Sequence, residues 1–181
     1  MKWFIASDIH GSTYYCQKML NDYEREKADR LLLLGDILYH GPRNDLPRDY
    51  APKKVIELLS PLKNETFSVR GNCDSEVDQM VLPFPVLAEY SVLDLEKRLV
   101  FLTHGHIFNE QHMLPMKRGD ILISGHTHVP RCEEKDGFVF MNPGSVSIPK
   151  ENSAHGYMTE ENGVFLWKKL GGEVYNEYIA R

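Results

Sequence analysis

At 181 residues, with 42% hydrophobic and 26% charged side chains and a formal net charge of −5, the chain has the size and composition of one soluble globular domain, 1–181, able to bury its own core. The negative balance repels polyanions and disfavours a long nucleic-acid track, though a small anionic substrate is compatible with it; no stretch approaches the roughly 18 apolar residues of a membrane helix. Three cysteines, Cys16, Cys73 and Cys132, form no close pair and argue against a disulfide framework or a Cys-type zinc site. The Lys2–Ala6 run meets Asp8 and His10 too soon for a signal peptide, so a cytoplasmic protein is expected.

Lys2 to Ser7 predicts a first strand ending at Asp8-Ile9-His10-Gly11. Ser12 then caps a helix with Cys16, Met19, Leu20 and Tyr23 on one face. The unbroken run Leu31-Leu32-Leu33-Leu34 stops at Gly35-Asp36, which fits a strand covered on both faces and delivers Asp36 at its carboxyl end, where open α/β sheets bind ligands. The two strands and the helix form a parallel β-α-β unit. Ile37 to about Tyr50 is a long loop with His40, Arg43 and Arg48, expected to be functional or mobile. Pro52 opens a second helix with Val55, Ile56, Leu58 and Leu59 inward, ended by Ser60-Pro61. A strand from Glu65 to Val69 leads into Arg70-Gly71-Asn72-Cys73-Asp74.

From Val86 the pattern turns to β. Val86 to Leu95 and Arg98 to Thr103 predict an antiparallel hairpin, the second arm ending in His104-Gly105-His106. A weakly patterned segment with Met113, Leu114 and Met116 precedes a strand, Asp120 to Ser124, and then Gly125-His126-Thr127-His128. Two strands flank Asp136-Gly137 and end in Asn142-Pro143-Gly144-Ser145, read as a tight turn. Strands over His155–Glu160, Val164–Leu170 and Glu173–Ile179 complete the chain. Early β-α units followed by antiparallel strands predict a layered α/β protein of two sheets with helices outside.

The polar residues at strand ends are Asp8, His10, Asp36, Asn72, His104, His126 and His128, with His106 close by. Singly they are weak signals: Asp8 is as readily a turn former, and Asn72 a turn amide. Pairs two apart on an extended segment point the same way, so Asp8 with His10, and His126 with His128, can reach one ion. Carboxylates, an amide oxygen and imidazoles without thiolates suit borderline divalent ions. So many ligands fit two metals with one shared carboxylate better than one. Two divalent ions against two carboxylates leave a surplus of about +2, which a hydroxide and an anionic phosphate oxygen neutralise.

These motifs, Asp8-x-His10, Gly35-Asp36, Gly71-Asn72-Cys73-Asp74, His104-Gly105 and Gly125-His126-x-His128, resemble in order those of the calcineurin-like metallophosphoesterases. Over nearly the whole chain they look most like the small bacterial YfcE-type phosphodiesterases. The resemblance implies a four-layer α/β/β/α sandwich of two mixed β-sheets flanked by helices. It also implies a dinuclear centre, with Asp8, His10 and His128 on one metal, Asn72, His104 and His126 on the other, and Asp36 bridging. Manganese is the expected metal, with zinc, iron, cobalt and nickel as alternatives. In such enzymes a metal-bridging hydroxide attacks phosphorus in line and no phosphoenzyme forms. The implied substrate is a small aryl-type or nucleotide-like phosphodiester. A phosphomonoesterase, and a binding scaffold like the related retromer subunit, are the alternatives.

The chain departs from many relatives at Cys73, where a histidine thought to protonate the leaving group stands. His106 or a metal-bound water could substitute. Asp74 either orients a ligand histidine or pairs with Arg70, while His112 and His155 read as ordinary. Neither a long nucleic acid nor a membrane is expected as a partner, and self-association into a homo-oligomer is left open.

Overall fold

The computed structural model describes residues 1–180. Three parallel strands lie side by side: β1 (Lys2–Ala6), β2 (Arg30–Leu33) and β3 (Thr66–Ser68). Helix α1 (Thr13–Glu26) connects the first two, and α2 (Pro52–Leu59) with a 3-10 turn over Ser60–Leu62 connects the next. The short helix α3 (Glu76–Val81) leads to a second sheet, built from β4 (Tyr90–Leu95), β5 (Arg98–Thr103), β6 (Asp120–Ser124), β7 (Arg131–Glu134) and β8 (Phe138–Asn142) in the order β4-β5-β6-β8-β7. The chain then returns to the first sheet, where β9 (Gly156–Glu161) pairs antiparallel with β1 and continues through β10 (Val164–Lys169) to β11 (Val174–Ile179). Both sheets are mixed, since β5, β6 and β8 run parallel while β4 and β7 run antiparallel to their neighbours.

Side-chain alternation sorts the core into layers. Ile5, Leu32 and Leu34 point between the sheets, against Val100, Leu102, Ile121 and Ile123. Phe4, Leu31 and Leu33 point outward beneath Cys16, Met19, Leu20 and Tyr23 of α1 and Val55 and Leu59 of α2. The leucine run is thus buried on both faces, as its lack of alternation predicts. Leu32 is 1% exposed, and truncating such a residue to alanine costs about 2–5 kcal/mol.

Two mixed sheets flanked by helices match the expected class, with one difference in the layers. The outer face of the second sheet, Phe101, Leu122 and Phe140, is covered by Phe108, Met113, Leu114 and Met116 of the weakly patterned segment, which forms no helix. The predicted strand from Val86 begins only at Tyr90. Val86 instead donates its N–H to the Gln79 side chain at 2.8 Å and packs under the first sheet's helices. Helix α3 was not foreseen; Asp78 accepts from the Ser75 N–H (2.7 Å) and hydroxyl (3.0 Å), a capping arrangement at its start. The loop from Ile37 to Tyr50 is pinned, since Ser12 donates to the Arg48 carbonyl at 2.6 Å and the Thr13 N–H to that of Asp49 at 3.0 Å. Among the described residues no helix is long and apolar enough to cross a membrane.

One polar cluster ties α1 to the sheet. Glu26 accepts from Lys168 Nζ and Lys2 Nζ, both at 2.8 Å, and from the Tyr157 hydroxyl at 3.0 Å. Burial alone would raise the Glu26 carboxyl, but these donors hold it down to about 2. A carboxyl depressed in the folded state stabilises above its unfolded pKa and loses that contribution as pH falls through the folded one. Glu26→Gln should therefore lower stability by about 2 kcal/mol at neutral pH. The gap to the parent should narrow between 4.5 and about 2, as read from urea midpoints at neutral pH and at about pH 3.

Candidate metal centre

β1, β2 and β3 in one sheet and β5 and β6 in the other end at the same edge of the molecule, and the loops after them carry all seven candidate ligands. Asp8, His10, Asp36, His104 and His128 are buried. Their convergence is achieved differently from the extended geometry read off the sequence. Asp8, His10, Asp36, His126 and His128 have φ of 59°, 49°, 56°, 68° and 62°, the left-handed region that non-glycine residues enter only at a cost. The two pairs therefore meet through tight turns. Close approach fixes two glycines: a Cβ on Gly71 would overlap the Asp36 side chain, and one on Gly125 would overlap the Ser7 hydroxyl.

The donor atoms fall into two sets. In the first, His128 Nε2 lies 3.2 Å from His10 Nε2 and 3.2 Å from Asp8 Oδ1, and His10 Nε2 lies 3.5 Å from that oxygen. In the second, His104 Nε2 lies 3.1 Å from Asn72 Oδ1 and 3.2 Å from His126 Nδ1. Asp36 Oδ2 stands between the sets, 3.7 Å from His10 Nε2 and 3.4 Å from His104 Nε2. A divalent ion about 2.1 Å from each of several donors sets those donors roughly 3.0–3.4 Å apart.

Tautomers sharpen this. His10, His104 and His128 each donate Nδ1–H to a backbone carbonyl, of Tyr39 (2.7 Å), Leu34 (2.6 Å) and Ile148 (2.6 Å). In the neutral rings Nε2 is then a bare lone pair, turned on its neighbours' lone pairs and on carboxylate oxygens. Asp8 Oδ1 is accordingly buried with no hydrogen-bond donor. Only added positive charge makes this packing favourable. Without metal a proton serves: burial would lower His104, but Asp36 and the charge of Asp8 raise it to about 9. Burial likewise works to raise Asp8, yet His10 and His128 hold it well below the usual carboxylate range. The residues present fit a pair of divalent cations, and the groupings Asp8-His10-His128 and Asp8-Asp36-His104 each bring three ligand atoms together.

A third grouping, His10-Asp36-Cys73, brings in a thiol that the reading of the ligand shell left out; its position directly after Asn72 was the available signal. Cys73 also donates its N–H to Asp36 Oδ1 at 2.8 Å. Asp74 touches neither a histidine nor the Arg70 guanidinium with its carboxylate. It accepts from the N–H groups of Asp36 (2.8 Å), Ile37 (2.9 Å) and Gly71 (2.7 Å), so it positions the Asp36 turn against the Asn72 loop. The Arg70 guanidinium donates to the Asp74 backbone carbonyl, at 3.3 Å. His106 lies beside the second set, its ring 5.3 Å from His104 and 6.3 Å from His126, with Nδ1 buried and unpartnered.

The Asn142–Ser147 segment does more than close a sheet. Asn142 donates to the Gly125 carbonyl (2.7 Å) and Thr127 hydroxyl (3.1 Å), bracing the His126–His128 turn. Ser145 and Ser147 hydroxyls donate to the Asp8 carbonyl at 2.9 and 3.0 Å. No local pattern announces these contacts. His155 is structural as expected, bonded to the Val146 carbonyl and stacked on Tyr15.

Asp74→Asn turns an NH2 group on at least one of three backbone donors. Metal affinity should fall about 10- to 100-fold and stability by about 1–3 kcal/mol. A calorimetric manganese titration and a denaturation midpoint measure the two, and undiminished affinity would contradict the positioning role.

The model of the calcineurin-like phosphoesterase superfamily domain matches residues 1–162. Phosphodiesterase YfcE of Escherichia coli is 46% identical over 164 residues, covering 91% of this chain and 89% of that protein. The solved structure of that phosphoesterase superposes with a TM-score of 0.96 at 42% identity, covering both chains completely. Vps29 of Entamoeba histolytica, solved with Zn2+, shares the fold at a TM-score of 0.63 and 21% identity, again over both whole chains. The chain belongs to the calcineurin-like phosphoesterase superfamily.

Proposed function

We propose that the protein is a metal-dependent phosphodiesterase acting on small aryl-type or nucleotide-like diesters, with two manganese ions as its working metals. The observation that carries this is Asp36 Oδ2, shared between the His10 and His104 donor sets at 3.7 and 3.4 Å. Asp8, His10, His128 and Asp36 would hold one ion, and Asn72, His104, His126 and Asp36 the other. Two such ions supply charge for the phosphoryl oxygens and acidify a water for attack on phosphorus.

The remaining work falls to the chain. A cavity of about 810 Å³ opens over Asp36, Asn72, His126 and His128, large enough for a small diester. Arg43, Arg70 and Lys150 line it, so an anionic substrate is drawn in. The buried loops under the ligands keep the donors from turning away when substrate arrives.

Leaving-group protonation is the weak point of this machinery. Cys73 stands where, by the family resemblance, many calcineurin-like enzymes carry a histidine. His106 is no ready substitute: burial and the charge on His104 and His126 push it down to about 4, and divalent cations nearby act in the same sense. A neutral ring donates poorly at pH 7, which favours leaving groups that need no proton.

With manganese added, an aryl methyl phosphodiester should turn over at least tenfold faster than a dialkyl ester of matched size. Equal rates would contradict the missing-acid argument. The aryl phosphomonoester should be the poorer substrate; a faster monoester would favour the phosphomonoesterase reading, and neither hydrolysis nor bound metal would favour the scaffold.

A further inference from the structure

A second groove, of about 460 Å³, lies beside the cavity over the metal centre, toward α2 and α3, and has a different chemistry. Leu38, Tyr39, Tyr50, Ile56, Val77 and Val81 supply its apolar lining. Tyr39, Cys73 and Ser75 line both this groove and the cationic cavity over the ligands, so the two share a wall.

Several lining residues are unusually exposed for their type: Val77 is 67%, Val81 47% and Tyr39 42% exposed. Solvated apolar side chains gathered around one concavity mark a binding surface more often than scattered ones do. The groove is also held rigidly to the site. The Tyr39 carbonyl accepts from His10 Nδ1 at 2.7 Å, and the Cys73 N–H donates to Asp36 Oδ1 at 2.8 Å. The Tyr39 ring meets His40 edge-on at 4.8 Å, and His40 meets Tyr50 at 5.2 Å, which makes a stiff aromatic wall. Cys73 stands in the wall that the groove and the cavity share.

We infer that this groove receives the apolar, ring-sized arm of the phosphodiester, and that Tyr39, Val77 and Val81 set the preference for it; this rests on the phosphodiesterase reading above. The phosphoryl group lies among cations and the metal ligands, and its organic arm leaves along the apolar groove that shares a wall with that cavity. A compact alkyl arm reaches the same phosphoryl position and gains nothing from the groove.

The test compares phenylphosphonate with methylphosphonate as inhibitors of the manganese-loaded full-length protein. The parent should bind the phenyl compound about tenfold more tightly. Val77→Ser combined with Val81→Ser should bring the two inhibition constants within about twofold of each other, and Val77→Leu should widen the gap. Val174→Ser, on exposed β11, should leave the ratio as it is. Both valines are exposed, so loss of the fold is not expected to obscure the result.

No phenyl preference in the parent, or the same preference in the double serine variant, overturns the inference. So does a double variant that changes self-association by light scattering without changing the ratio, since the groove would then belong to a second copy of the chain. If the parent hydrolyses no phosphodiester but calorimetry shows valine-dependent binding of phenylphosphonate, the groove stands and the assignment of the reaction falls.

Discussion

The structure turns on one unfavourable contact made favourable by charge. In the neutral rings three histidine Nε2 atoms face carboxylate and amide oxygens and one another at 3.1–3.7 Å in a buried pocket, which calls for a proton, as on His104, or a cation. Such crowding of lone pairs is repulsive in any medium and more so away from water. It persists because the Nδ1 protons are committed to the carbonyls of Tyr39, Leu34 and Ile148, so the rings have no alternative tautomer that keeps those bonds. The arrangement makes sense as the coordination shell of cations.

Holding that shell together consumes much of the scaffold's precision. Five of the candidate ligands adopt left-handed backbone, a cost of about 1–3 kcal/mol each, and the strain is offset by polar groups packed behind them. Asp74 spends both carboxylate oxygens on the Asp36 and Gly71 loops. Asn142, Ser145 and Ser147 clamp the loops after β6 and β1 from the far side. Two parallel-strand edges, one from each sheet, supply the rigid ends from which these loops leave. The doubly buried Leu31–Leu34 segment anchors the shared carboxylate at the centre.

How much of this was legible in the chain depended on range. The unbroken apolar runs of β1 and β2 and the polar residues just past strand ends are local signals, and they led directly to the candidate ligand set. The turn conformation of Asp8-x-His10 and His126-x-His128 was not legible, because extended and left-handed backbones bring the same side chains to one ion. The bond from Ser145 to the Asp8 carbonyl spans 137 positions, and a pattern that reads as a tight turn carries no trace of it. Helix α3 was hidden for a different reason: six residues are too few for periodicity, leaving only the Ser75–Asp78 capping pair to announce it. The outer cover of the second sheet, Phe108 to Met116, is irregular because its apolar residues follow no repeat.

Whether Asp36 serves two ions at once is measured directly by metal content per chain. The parent should hold two manganese ions per chain. Asp36→Asn should lose tight binding of both, whereas His128→Ala should keep the ion of the Asn72, His104 and His126 set. If Asp36→Asn retained two tightly bound ions, or if the parent held only one, the shared-carboxylate description of the centre would be contradicted.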